Sequence, residues 1–248
     1  MAGRVDEAGV WTGPSLGERL GAGVLHGRDE LLAAVLEGRD LGRAWLRLSV
    51  VLLAGAALYG AVLGLWHGHQ LALYVAIKLP LVLFLTSALT MLLSWVGSAL
   101  LGLPLRFGQV AVLTFLGLAA ASLLLASLAP VAWLFTVCAP PPTEEAQTAH
   151  NLLYLLHTAC VGGCGLAGTR VLWTAMGRLP ETPWRTRLAV YLLWVLAYAL
   201  VGGEVAWVLR PFVGSVYADV VFLRPDALNG NVYEFIFTDI LPHLFAID

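Results

Sequence analysis

Glu204, Trp207 and Arg210 stand three residues apart at the end of an apolar stretch that closes on Pro211. Three residues is just under one helical turn, so they form a loose stripe. Glu204 and Arg210 are still about 9 Å apart along the axis, too far to pair well within one helix. Lys78, the only lysine, lies in a second apolar run two residues before Pro80. An ionisable group at membrane depth is costly, so Glu204, Arg210 and Lys78 are candidates for an ion or proton path. The competing reading has Glu204 accepting a hydrogen bond from a neighbouring helix, while Arg210 and Lys78 reach the headgroup level. His157, Cys160 and Cys164 share one helical face and offer ligands suited to copper or zinc, one donor short of a tetrahedral site. His67, His69, His150 and His243 fall towards the same side. Against a metal or haem stands the ordinary use of such residues on a packing face, as small packers and hydrogen-bonding groups. Cys138 has no evident disulfide partner. Arg170 is a single basic residue within its span, where a voltage sensor needs a regular series. No phosphate-binding loop, nucleophile elbow or paired-carboxylate arrangement is present, and Ser87, Ser94 and Ser98 read as helix-packing residues. The expectation is a protein without catalytic residues and without a cofactor, unless the His157 face holds metal or haem.

These residues must be positioned by membrane helices. The chain has 248 residues, 59% hydrophobic and 12% charged, with a net charge of −2 and a mean hydropathy of +0.82. A soluble domain carries about a quarter charged residues. The basic residues are scattered arginines, which argues against a nucleic-acid surface. About 20 apolar residues cross the hydrocarbon layer, and five segments meet that length: 48–66, 81–101, 110–135, 152–176 and 188–209. The second belongs to a run starting at Leu71 that is too long for one upright span. Lys78 and Pro80 predict an interfacial or re-entrant turn over 71–77, with Lys78 snorkelling to the interface. The fold class is therefore all-α, a polytopic transmembrane bundle of five spans.

Arginine is retained on the cytoplasmic side. Arg39, Arg43 and Arg47 precede span 1, Arg106 lies between spans 2 and 3, and Arg178, Arg185 and Arg187 lie between spans 4 and 5. The opposite connections are poor in basic residues, and 138–149 carries Glu144 and Glu145. This predicts a cytoplasmic N-terminus and an outer C-terminus, with span 1 retained as a signal anchor. Three regions follow: a cytoplasmic segment 1–46, with an amphipathic helix over 29–45; the bundle 47–210; and an aromatic-rich interfacial tail 211–248. Helices associate in lipid through small residues. Ala56, Gly60 and Gly64, then Ala159, Gly163 and Ala167, then Ala199 and Gly203 predict packing among spans 1, 4 and 5.

Leu58-Tyr59-Gly60 in span 1 and Ala76-Ile77-Lys78-Leu79-Pro80 entering span 2, within this five-span layout, resemble the Yip family of membrane proteins and its bacterial relatives over about 43–210. The resemblance implies an integral protein of a bacterial cytoplasmic membrane. Eukaryotic members are associated with vesicle membranes and small GTPase partners. They carry Asp and Pro where this chain has Ala57 and Ala61. The leading functional expectation is a non-enzymatic membrane subunit that organises or anchors a membrane or cytoplasmic protein partner. The alternatives are a homo-oligomeric channel or small transporter, and an outer-side metal or haem redox subunit.

Overall fold

A backbone in hydrocarbon must satisfy its own N–H and C=O groups, and a continuous helix does so within one segment. The computed structural model describes residues 35, 37–103, 105–179, 182–214, 220–235 and 237–238. Five long helices fill most of that range. α1 is Leu41–Gly64, continued by a 3-10 turn Leu65–His67; α2 is His69–Leu100; α3 is Phe107–Cys138; α4 is Gln147–Met176; and α5 is Trp184–Val208. A single turn, α6, covers Val232–Phe235. All five long helices are long and apolar enough to span a membrane, and no strand occurs among the described residues.

Two expectations need correction. The run from Leu71 is not broken into a re-entrant turn, because α2 continues through Pro80 for 32 residues, about 48 Å. An interior proline loses its own N–H bond and crowds the carbonyl four residues earlier, but lipid offers the neighbouring amides no alternative partner. The first part of α2 is also packed against the rest of the chain. Leu71, Val75, Lys78 and Leu79 are buried against α1 and the tail. The expected helix over 29–45 does not run through either. Its first six residues lie outside the described residues, and 37–40 form a turn in which Gly38 has φ +73°, a helix-ending conformation. α1 starts after it, and Gln109 Nε2 at the start of α3 donates to the Val35 carbonyl at 2.9 Å.

Side by side, the helices run α4, α3, α1, α2, α5. A Cβ on Gly55 of α1 would meet the Ser122 carbonyl of α3 at 2.5 Å. On Gly60 and Gly64 it would meet the Val75 and Leu71 carbonyls of α2, each at 2.6 Å. Gly168 of α4 sits equally close to Gly117 of α3. Gly60 and Gly64 of the α1 stripe thus serve α2, and the neighbouring Gly55 serves α3, because those backbones pass there. Between α2 and α5 the contact is polar. Trp194 Nε1 donates to the Ser94 carbonyl and the Ser98 hydroxyl at 3.1 and 2.9 Å, and the Tyr198 hydroxyl donates to the Leu83 carbonyl at 3.1 Å. The row almost closes into a ring, but α4 and α5 touch only slightly. At the end holding the α1–α2 turn, Trp66 Nε1 donates to the Pro140 carbonyl at 2.9 Å. His150 Nε2 meets the Gly214 carbonyl there, also at 2.9 Å, so the segment after α5 folds across this end.

Candidate functional site

The three charged candidates come together at that tail end, where each is held by the segment following α5. Lys78 is fully buried, and its Nζ donates to the Pro211 carbonyl at 3.1 Å between the rings of Phe222 and Phe212, 5.3 and 5.9 Å away. The tail folds over it, so the ammonium is held by a backbone carbonyl. Arg210 stacks on Trp207 at 3.7 Å, donates to the Trp207 carbonyl at 2.9 Å and pairs with Asp226 at 3.6 Å. Burial lowers its guanidinium below the ordinary range and Arg224 adds to this, while Asp226 and Glu204 oppose it. Glu204 accepts from the Val232 backbone N–H at 3.2 Å. Beside it the Tyr233 hydroxyl donates to the Leu200 carbonyl. Burial, then the nearby Glu204 charge, raises the Tyr233 phenol above its ordinary value. A Cβ on Gly203 would lie 3.2 Å from the Tyr233 hydroxyl, so this glycine admits the tail rather than another long helix.

His157 sits nearly three turns into α4, almost fully buried, with Nδ1 3.0 Å from the Tyr59 hydroxyl of α1. The rings meet edge to face, and Cys160 lies beside the same hydroxyl. Cys164 is buried among apolar side chains of α1 and α3. Among the described residues no group of three or more histidine, cysteine, aspartate or glutamate side chains could hold a metal ion. His157, Cys160 and Cys164 share a helical face but do not converge as ligands, because the imidazole is turned to Tyr59 and Cys164 is packed inward. His67 and His150 gather on Gly214, His69 is exposed at the start of α2, and His243 lies outside the described residues.

The gap between α4 and α5 is a cleft with two lobes. One, of about 480 Å³, is bordered by His157, Thr158, Thr86 and Gly202. The other, of about 390 Å³, is bordered by Thr90, Ser94, Gly117, Gly165 and Trp194. They meet at Gly162, Tyr198 and Ala199, and no charged side chain lines either. Gly163 and Gly165 have nothing within 4 Å of a built Cβ, so the stripe expected to pack α4 onto spans 1 and 5 remains uncovered. The sequence reading missed Tyr59, Thr86 and Tyr198. A detectable signal was the hydroxyl repeat Thr86, Thr90, Ser94 and Ser98, four residues apart on one face of α2. All four are buried. Arg170 is exposed on α4. Comparison of the chain with family models, curated proteins and solved structures found no match.

Proposed function

We propose that this chain is a non-enzymatic integral membrane subunit that anchors a membrane partner along the uncovered side of α4 and α5. The carrying observation is the contrast in burial. In their most apolar 18-residue windows, 22% of α4 and 17% of α5 is buried, against 56%, 44% and 67% for α1, α2 and α3. Ala159 and Gly163 lie exposed on α4 with Leu152, Leu155 and Leu166. Small residues of this kind let a further helix approach closely in lipid, where apolar exclusion gives no driving force. The arginine distribution supports an orientation with the N-terminus in the cytoplasm and the tail outside. The charged residues that would line a pore are instead engaged with the tail.

The test is the protein mass of the particle extracted from native membranes into nanodiscs, measured by light scattering and corrected for lipid, together with its subunit composition. The expected result is a second membrane protein in whole-number ratio to this chain, lost in Gly163→Leu, which fills the exposed stripe without meeting its own bundle. A single chain in both proteins overturns the proposal. A ring of identical chains whose conductance changes in Glu204→Gln replaces it with a pore between subunits.

A further inference from the structure

The polar atoms in the wider lobe are unusual for a helix wall. Hydroxyls within apolar helices commonly donate to the carbonyl four residues earlier, as Thr90 does to Thr86 and Ser98 does to Ser94. Thr86, fully buried on the same face, leaves Oγ1 without a hydrogen-bond partner, and it borders the lobe. Across the lobe stands His157, only 2% exposed, whose hydrogen bond to Tyr59 uses Nδ1. With the Tyr59 hydroxyl donating to Nδ1, the ring proton sits on Nε2, the other edge of the imidazole. Two hydrogen-bonding groups, one from each wall, therefore border the space, and the imidazole offers an N–H when Tyr59 donates to its Nδ1. They lie deep in the bundle, His157 being about 15 Å along α4 from its start. Beyond Gly162 the narrower lobe continues the space along glycines of α3 and α4.

The geometry points to a binding site for a prenylated quinone, with a ring carbonyl accepting from Thr86 Oγ1 and His157 Nε2 and the prenyl chain lying in the narrower lobe. The occupant is uncharged, since no charged side chain lines the cleft; this disfavours a fatty-acid carboxylate or a phospholipid headgroup at that depth. It carries an acceptor such as a carbonyl, which suits both groups, because the Nε2 N–H only donates and the Thr86 hydroxyl is able to donate. It has a long apolar extension, because the second lobe offers one.

The experiment uses the isolated full chain in nanodiscs of synthetic phosphatidylcholine, so it is independent of any protein partner. The probe is a photoreactive azidoquinone with a decyl chain, its labelling sites mapped by mass spectrometry. Saturable labelling of α2, α4 and α5 around the cleft is expected, displaced by decylubiquinone but not by palmitate or diacylglycerol. Thr86→Val keeps shape and volume while removing the donor, and should weaken binding about fivefold, the worth of one ordinary hydrogen bond. Gly162→Leu should abolish it by filling the junction of the lobes. Labelling that does not saturate, that palmitate or diacylglycerol displaces equally, or that Thr86→Val leaves unchanged overturns the site and leaves ordinary lipid contact. Because Thr86→Val preserves packing, the test stands even if Gly162→Leu does not fold.

Discussion

At the scale of single residues, buried polar groups gain their importance from partners far away in the chain. The Tyr59 hydroxyl and His157 Nδ1 are 98 positions apart in sequence and 3.0 Å apart in space. Tyr59→Phe leaves the imidazole nitrogen buried without this partner. The expected loss is about 1–3 kcal/mol of unfolding free energy, measured by reversible unfolding in bicelles. The double variant Tyr59→Phe with His157→Leu should lose less than the sum of the single losses, since the second change removes the group the first has stranded. Lys78→Met tests the other buried contact. A hydrogen bond from a charged donor contributes about 1.5–3 kcal/mol, and relief from burying the ammonium offsets part of that. Amide exchange over 212–214 should quicken about tenfold, while the thermal midpoint of the bundle stays near that of the parent. The apolar repeats around Tyr59, His157 and Lys78 were legible in the sequence. The pairing of Tyr59 with His157 was not, because a helical period says which face a residue occupies and not which helix passes that face.

At the scale of elements, the glycines divide by what their absent Cβ leaves room for. Gly168 lies against the Gly117 backbone and Gly163 against open space, although both are small residues of α4. Gly168→Leu should separate α3 from α4 and destabilise the chain by about 1–3 kcal/mol or more, the usual scale of overpacking. Gly163→Leu should leave the thermal midpoint of the isolated chain unchanged. Equal loss in both variants would mean that the α4 stripe packs within the chain. α2 carries the same lesson in another form. Lys78 and Pro80 read locally as a break, yet the tail buries the one and the helix tolerates the other, so α2 stands higher than α5 at the tail end and its first turns support the cap.

At the scale of the whole molecule, the segment after α5 acts as a clasp, taking the Lys78 ammonium, the Glu204 carboxylate and the Arg210 guanidinium into one layer over the tail end. Its attachment should depend on pH through Tyr233. The folded phenol titrates above its unfolded value, so its contribution is complete below about pH 10, the usual tyrosine value, and is lost as pH rises through the folded value. Ionisation removes the donor to Leu200 and places a second negative charge beside Glu204. Trp207 stacks with Arg210 and meets the Phe235 ring, so its fluorescence should report undocking above pH 10 in the parent. Tyr233→Phe should remove that transition, and an unchanged transition in this variant would assign it elsewhere.

Five apolar helices follow from composition and length alone, because transfer of a segment into hydrocarbon depends on that segment's own residues. The sequence also marked the charged and hydroxyl residues that would need partners there. The partners are set by packing in three dimensions: α1 with α2 and α3, Lys78 with Pro211, Thr86 beside an open lobe, and α4 standing apart from α5. Lipid is as apolar as leucine, so hydropathy cannot distinguish a face that meets lipid from one that meets a helix. That choice falls to backbone approach and polar pairing between segments remote in sequence.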